Sequence, residues 1–218
     1  MEKIKAISLD LTGTISEEDF SNAVWLEGVP KLYALKHSIP IDKAREIVFS
    51  QYKEVGEERR EWYDIKYWFK RLGLGDGWKD LLQSYKERIK IYEDAKEIIP
   101  ELAEKYPLIL LSNAGREFIE IELREGGILP YFTKIISATQ DMGEVKKTPS
   151  FYKKALKLIG LPPQNLLHIG DHPLFDYKAP RKAGIKAFLL DRKEKYRVRF
   201  KIKTLSQIKN ILDMNATP

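Results

Sequence analysis

The strongest constraint on the fold is the alternation of short, continuous apolar runs with segments in which apolar residues recur every three to four positions. The apolar runs cover residues 4–9, 108–111, 134–137, 166–169 and 186–190. Segments of helical period lie between them, as over 97–106 and 151–159. Strands that are apolar throughout are buried on both faces, as in a parallel sheet covered by helices. The sequence therefore predicts an α/β fold with a doubly wound, Rossmann-like parallel sheet.

Residues 16–90 follow a different pattern. Apolar side chains recur there at helical spacing in three groups, which begin at Ala44, Ile65 and Trp78, and no run has strand character. We therefore predict an all-α cap over 16–90, inserted into a core made of 1–15 and 91–218. The cap holds many large aromatic side chains, namely Trp25, Tyr33, Trp62, Tyr63, Tyr67, Trp68 and Trp78. Helical spacing assigns Trp68 and Trp78 to its core.

Composition narrows the class of protein. The 218 residues are 43% hydrophobic and 32% charged, which suits a globular domain with a polar surface. The absence of cysteine excludes disulfides and thiolate metal sites and is expected for a cytoplasmic protein. The polar N-terminus and the lack of a long apolar run predict neither a signal peptide nor a membrane span. Abundant charged residues are typical of a thermophilic source.

The net charge of +6 is concentrated late in the chain, over residues 192–203. Basic residues alternate there with Val198, Phe200 and Ile202, which predicts an edge strand with one buried and one exposed face. We therefore expect no nucleic-acid partner. The excess positive charge would instead attract a small anionic substrate.

Polar residues directly follow three of the predicted strands. They are Asp10, Thr12, Gly13 and Thr14 after the first, Ser112 and Asn113 after the second, and Asp171, with Asp176 beyond it, after the fourth. In an open parallel sheet, ligands bind outside the carboxyl ends of the strands, so these groups should converge. Neighbouring carboxylates require a cation, and a ligand set made only of oxygens favours Mg²⁺. A lysine of the loop 143–149, Lys146 or Lys147, would neutralise charge on a transferred group.

In this order the motifs resemble those of the haloacid dehalogenase-like superfamily. Residues 10–14 resemble its first motif, Ser112 and Asn113 its second, 146–152 its third, and 168–171 with Asp176 its fourth. The resemblance implies that Asp10 is a nucleophile forming an aspartyl-phosphate. It also implies that Asp10, the Thr12 carbonyl, Asp171 and Asp176 hold Mg²⁺, and that Ser112, Asn113 and the loop around Gly13 and Thr14 bind the phosphoryl group. The distance to Pro149 selects Lys146 as the motif lysine.

One position departs from the family pattern. Hydrolytic phosphatases of the family carry a second aspartate two residues after the nucleophile, as general acid and base, whereas this chain has Thr12. A threonine hydroxyl is not a base near neutral pH, and loss of such a group costs roughly 10²- to 10⁴-fold in rate. Possible replacements are Glu17, Glu18, Asp19 and His172.

Three functions follow from these residues. The first is a Mg²⁺-dependent phosphatase or phosphotransferase acting on a small phosphorylated metabolite. The second is a 2-haloacid dehalogenase, in which Asp10 would displace halide without a metal. The third is a catalytically impaired binding or regulatory protein that retains the fold. The pairing of Asp171 with Asp176 favours the metal-dependent reaction over dehalogenation.

Overall fold

The computed structural model describes residues 3–216, and its centre is a six-stranded sheet. The strands are β1 (Ala6–Leu9), β2 (Leu108–Ser112), β3 (Phe132–Ser137), β4 (Leu166–Gly170), β5 (Lys186–Leu190) and β6 (Lys201–Ile202). Their order across the sheet is β3-β2-β1-β4-β5-β6, and every neighbouring pair is parallel. The predicted doubly wound parallel sheet is confirmed. The strand order reverses at β1, between β2 and β4, where such sheets bind ligands.

Five α-helices lie between β1 and residue 90. They are α1 (Asp19–Ala23), α2 (Val29–His37), α3 (Ile41–Val55), α4 (Ile65–Arg71) and α5 (Trp78–Ser84). Five more cover the sheet: α6 (Glu93–Ala103), α7 (Arg116–Glu125), α8 (Pro149–Ile159), α9 (Ala179–Lys182) and α10 (Ile208–Ala216). Across the described residues, no helix is long and apolar enough to span a membrane.

The alternation of side chains along β1 explains why helices pack on both faces of the sheet. Ile7 and Leu9 belong to a buried cluster with residues of α6, α7 and α10. Ala6 belongs to a second cluster, on the opposite face, with Phe151 and Tyr152 of α8. Successive side chains of a strand point to opposite faces, so each face of β1 contributes to a separate core.

The segment between β1 and β2 has an apolar cluster of its own. Val48 and Tyr52 of α3 pack there with Trp68 and Phe69 of α4. Phe118 of α7, a helix that covers the sheet, belongs to the same cluster. Burial of this kind contributes about 1.5–3 kcal/mol for each large apolar side chain. The segment therefore has enough buried apolar surface to keep its helices packed.

The two connections to this helical segment run side by side. Ser16 and Ile91 form an antiparallel bridge, the Glu17 N–H donates to the Lys90 carbonyl, and the Tyr92 N–H donates to the Ile15 carbonyl. These bonds lie at the boundaries predicted for the cap. The division into a core of 1–15 and 91–218 and a cap of 16–90 stays a prediction, and residues 1, 2, 217 and 218 lie outside the described residues.

The prediction of a long edge strand over 192–203 was wrong in its extent. Only Lys201–Ile202 pairs with β5. The Asp191 carboxylate accepts hydrogen bonds from the backbone N–H groups of Lys195 and Tyr196, and from the Lys201 ammonium at 2.9 Å. These contacts hold the preceding residues in a loop, so the alternating pattern forms a strand only at its end.

Candidate active site

Three carboxylates meet at the carboxyl ends of the central strands. Asp10 directly follows β1, Asp171 directly follows β4, and Asp176 lies on the helical turn after it. One carboxylate oxygen from each residue lies within 4.8 Å of the others. Asp10 and Asp176 are 7% and 1% exposed, respectively, so this cluster of charge is largely withdrawn from water. Such a cluster is unfavourable unless cations balance it.

The loop after β1 brings its backbone close to Asp171. The Leu11 carbonyl accepts hydrogen bonds from the N–H groups of Thr14 and Ile15, which folds the chain into a tight turn. Gly13 sits in this turn with φ +81°, in the left-handed region that favours glycine. A Cβ atom at Gly13 would lie 2.4 Å from Oδ2 of Asp171. Only glycine allows this approach.

A lysine lies inside the carboxylate cluster, and it is Lys147. Its Nζ contacts the Asp10 carboxylate, lies 2.5 Å from Oδ1 of Asp176 and donates to the Leu111 carbonyl at 3.1 Å. Its side chain is 2% exposed. These three acceptors use all three of its N–H bonds.

The structure therefore brings Lys147, rather than the predicted Lys146, to Asp10, and the catalytic role assigned to Lys146 stays a prediction. Lys146 extends away from Asp10, toward the helical segment, where it pairs with Glu58 and lies 3.7 Å from Glu57. The physical reason lies in the backbone of the next residue. The Lys147 N–H donates to Oδ1 of Asn113 at 3.0 Å, so the chain is fixed at Lys147 with that side chain pointing inward.

Asp176 is held by three hydrogen-bond donors. Its Oδ1 accepts from Lys147 and from His168 Nε2 at 3.1 Å, and it lies 3.4 Å from the Tyr152 hydroxyl oxygen. Its Oδ2 accepts from the His172 backbone N–H at 3.1 Å. Although burial acts to raise its pKa, Lys147 and His168 hold the pKa of Asp176 well below its usual range. Asp176 is therefore ionised at neutral pH and fixes the position of Lys147.

His168 belongs to a buried hydrogen-bond chain beneath this site. Its Nδ1 lies 2.9 Å from Oγ of Ser8, and its Nε2 lies 2.9 Å from the Tyr152 hydroxyl, which donates to the Phe175 carbonyl. Burial lowers the pKa of His168, so the ring is neutral at pH 7. With the proton assigned to Nε2, the ring donates toward Asp176 and accepts from Ser8.

The raised pKa values of two carboxyl groups in the cluster indicate that positive charge is lacking there. Burial, together with the charges of Asp176 and Asp171, raises the pKa of Asp10 to about 8 against the opposing effect of Lys147. Burial and the charge of Asp176 raise the pKa of Asp171 to about 6. Three carboxylates thus face one ammonium group, and His168 adds no charge. These residues therefore fit a divalent cation, which would balance the cluster and lower both raised pKa values.

The remaining predicted site residues fall into two groups. Thr12, Ser112 and Asn113 line a cavity of about 460 Å³ together with the three carboxylates. The Thr14 side chain is completely buried, and its hydroxyl is without a hydrogen-bond partner. The Thr14 hydroxyl therefore does not line the cavity, and substrate binding by the backbone of this loop stays a prediction. Gly13 acts through its backbone conformation.

The candidates for the missing acid or base also separate. Glu18 and His172 line the cavity. Glu17 lies 3.9 Å from Lys90, and Asp19 forms two hydrogen bonds with Arg88, both outside the cavity. Glu18 and His172 thus share a cavity with Asp10, whereas Glu17 and Asp19 line a second cavity that reaches Asp171.

One acidic residue of the cavity was missed by the sequence analysis. Glu122 of α7 is 2% exposed, lines the cavity and accepts a hydrogen bond from Oγ of the buried Ser16 at 2.5 Å. Burial raises the pKa of Glu122 to about 7, despite the bond from Ser16. A signal was present in the sequence, because Phe118, Ile119 and Glu122 share the buried face of one helix.

Replacing Glu122 with glutamine should remove a pH-dependent loss of stability. Below pH 4.5 the Glu122 carboxyl is protonated in both the folded and the unfolded protein, so its ionisation does not change the free energy of unfolding. Between 4.5 and 7 the unfolded chain ionises first, so the wild type loses up to about 3 kcal/mol as the pH rises. We expect Glu122→Gln to gain about that amount relative to the wild type between pH 4.5 and pH 8, measured by urea unfolding.

The exposed neighbour Glu120, on the same helix, provides the control. The free energy of unfolding of Glu120→Gln should differ from that of the wild type by the same small amount at pH 4.5 and at pH 8. An equal difference for Glu122→Gln at both pH values would show that this carboxyl is not held protonated in the folded protein.

Comparison with known proteins places the chain among hydrolases of one family. The protein-family sequence model described as haloacid dehalogenase-like hydrolase matches residues 4–184. Haloacid dehalogenase-like hydrolase domain-containing protein 3 of Danio rerio is 35% identical over 85 residues, which are 39% of this chain and 34% of that protein. Enolase-phosphatase E1 of Aquifex aeolicus is 28% identical over 198 residues, or 84% of this chain and 88% of that protein.

Coverage of several relatives is partial, whereas the fold is shared over nearly the whole chain. Six curated relatives are matched over 33% to 54% of their own length. The solved structure of a HAD phosphatase from Thermococcus onnurineus superposes with a TM-score of 0.81 at 24% identity, over 96% of this chain and 98% of that one. At this level of identity the likeness concerns the fold.

Proposed function

Since this chain belongs to the haloacid dehalogenase-like hydrolases, we propose that it is a Mg²⁺-dependent phosphatase that acts on a small phosphorylated metabolite through Asp10. The observation that carries the proposal is the set of contacts of Lys147, whose ammonium group joins Asp10 to Asp176 beside Asp171. This arrangement places a nucleophile, a fixed positive charge and further oxygen ligands at one edge of the sheet. The names of several relatives, including N-acylneuraminate-9-phosphatase and phosphoserine phosphatase, agree with this chemistry.

Asp10, Asp171 and the Thr12 carbonyl would hold the metal ion, with Asp176 assisting. When bound, Mg²⁺ supplies positive charge that neutralises the phosphate and the carboxylates around it. The residues fit this role because carboxylate and carbonyl oxygens are its preferred protein ligands. The excess of negative charge around Asp10 and Asp171 provides the electrostatic reason for a cation there.

The reaction would proceed by two displacements at phosphorus. A carboxylate oxygen of Asp10 attacks the phosphorus atom, a new O–P bond forms, and the ester O–P bond breaks as the alcohol leaves with a proton. Water then attacks the same phosphorus, which releases phosphate and restores the Asp10 carboxylate. Lys147 keeps Asp10 in position throughout, and Ser112 and Asn113, which line the same cavity, would bind the phosphoryl oxygens.

The proton for the leaving alcohol must come from a residue other than Thr12. Glu18, His172 and Glu122 line the cavity and are the candidates. Glu122 is protonated below about pH 7, so it has a proton to give near neutrality. Glu18 is exposed to solvent.

The proposal is tested by assaying the purified protein on a panel of phosphomonoesters and on 2-chloropropionate, with Mg²⁺ and with chelator. We expect phosphate release that requires Mg²⁺ and no halide release. Metal-independent chloride release would instead identify a haloacid dehalogenase. The absence of any turnover, with no phosphoryl group trapped on Asp10, would identify a binding or regulatory protein.

A further inference from the structure

We propose that the substrate of this site is a phosphomonoester whose leaving group is flat, aromatic and free of negative charge. This inference rests on the proposed phosphatase function and names its substrate class. Two independent properties of the cavity beside Asp10 support it. Its wall is rich in aromatic side chains, three of which have their polar tips bonded to the backbone, and Lys147 is the one lysine or arginine among the described residues that line it.

The helical segment supplies most of the aromatic wall. Trp25, Tyr52, Trp62, Tyr63 and Trp68 line the cavity, and Phe118 of α7 joins them. Trp25 stacks on Phe118, with ring centroids 5.2 Å apart and ring planes at 20°. The rings of Tyr52 and Trp62 meet edge to face, with centroids 6.0 Å apart. Rings that support one another in this way form a preformed surface, which loses little entropy when a flat ligand stacks on it.

The polar atoms of this wall are already bonded to the backbone. The Tyr52 hydroxyl donates to the Trp25 carbonyl at 3.2 Å, and Nε1 of Trp68 donates to the Trp62 carbonyl at 3.1 Å. The Tyr63 hydroxyl donates to the Glu57 carbonyl at 3.4 Å. A sugar or other polyol on this wall would lose hydrogen bonds with water and gain few in return, which disfavours it.

The charges around the cavity disfavour a second anionic group on the substrate. Five acidic residues line it: Asp10, Asp171, Asp176, Glu18 and Glu122. Lys147 is the single basic residue among the described residues that line it, and its N–H bonds are used by Asp10, Asp176 and a carbonyl. A carboxylate on the leaving group would therefore lose its hydration beside Glu18 or Glu122 without a counter-ion.

Three basic residues near the aromatic side of the cavity are paired with carboxylates. Lys146 pairs with Glu58, and Arg59 donates to Glu61 at 2.9 Å. Arg116, next to Gly115 of the cavity lining, donates to Asp141 at 2.7 Å. Each would have to leave a carboxylate in order to bind a substrate anion. Their pairing favours a leaving group without negative charge.

The inference is tested with three primary phosphate esters whose reacting ends are alike. These are 2-phenylethyl phosphate, 2-(4-carboxyphenyl)ethyl phosphate and glucose 6-phosphate. We expect kcat/KM for the phenyl ester to exceed that for each of the others by at least about tenfold, the factor that corresponds to 1.4 kcal/mol. Equal or better turnover of the carboxylated ester or of the sugar phosphate would overturn the inference and leave the phosphatase proposal intact.

Two tryptophan variants test whether the aromatic wall is responsible. Trp62→Ala should raise KM for 2-phenylethyl phosphate by about fivefold, the factor that corresponds to the loss of about 1 kcal/mol of stacking, and should leave KM for glucose 6-phosphate nearly unchanged. Trp78→Ala is the matched control, since Trp78 lies in the same helical segment but does not line the cavity. Equal effects of Trp62→Ala on both substrates would contradict the assignment.

A binding experiment separates failure of this inference from failure of the phosphatase proposal. The non-hydrolysable 3-phenylpropylphosphonate and its 4-carboxyphenyl counterpart are titrated into the wild-type protein with Mg²⁺, and tryptophan fluorescence and calorimetry are recorded. We expect the phenyl compound to bind at least about tenfold more tightly. This order would support the substrate class even without turnover. Equal affinity, a preference for the carboxylate, or no binding of either compound would overturn it.

Discussion

Asp10→Asn is expected to lower phosphatase turnover by on the order of 10⁴-fold or more, as removal of a nucleophile does in enzymes that form a covalent intermediate. The amide oxygen can still accept the hydrogen bond that Lys147 donates to Asp10, so the site should keep its shape. It cannot form a stable bond to phosphorus. The measurement is steady-state phosphate release, with acid quenching to trap the phosphoryl group on the wild-type protein and on the variant.

Asp19→Asn is the matched control for this variant. Asp19 is also acidic and follows β1 closely, but it pairs with Arg88 outside the cavity. An exposed pair of this kind contributes about 1 kcal/mol or less, so both stability and turnover should stay close to the wild type. Turnover retained by Asp10→Asn would remove the nucleophile from the proposal. A large loss in Asp19→Asn would instead return that residue to the candidates for acid or base.

The sheet and its active edge were predictable because they depend on local patterns. Each buried strand is a short apolar run, and a parallel sheet brings the ends of its strands to one edge. Asp10, Ser112 and Asp171 could therefore be placed together without knowledge of any contact between them. The helices between β1 and β2 were predictable for the same reason, since their apolar residues recur at helical spacing.

The choice between Lys146 and Lys147 was beyond this kind of reasoning. Spacing within a motif counts residues along the chain, whereas the direction of a side chain depends on how the backbone is held. Here the deciding contact is the hydrogen bond from the Lys147 N–H to Asn113, which joins two loops that are distant in sequence. The other long-range contact, between Ser16 and Glu122, was invisible for the same reason. The prediction of a long edge strand was wrong for a different reason. The Asp191 carboxylate accepts hydrogen bonds from the backbone of Lys195 and Tyr196, and these bonds hold that part of the segment in a loop.

Lys147→Ala should damage both stability and catalysis, whereas Lys146→Ala should damage neither. Removal of Lys147 leaves Asp10 and Asp176 buried without a cation, and breaking a buried pair in this way costs about 3–5 kcal/mol. Loss of a preorganised positive group at the reacting centre costs roughly 10²- to 10³-fold in kcat. Lys146 pairs with exposed glutamates of the helical segment, and its removal should cost about 1 kcal/mol or less.

Stability and turnover must be measured separately to interpret this pair of variants. Unfolding in urea gives the free energy of each variant, and kcat is measured at a temperature at which both are folded. A double variant, Lys147→Ala with Asp176→Asn, tests the charge argument. It removes one of the two carboxylates that Lys147 neutralises, so it should recover part of the stability that Lys147→Ala loses. If Lys146→Ala lowered kcat more than Lys147→Ala, the ammonium group that acts on Asp10 during turnover would be that of Lys146. The helical segment would then have to move in order to release Lys146 from Glu58.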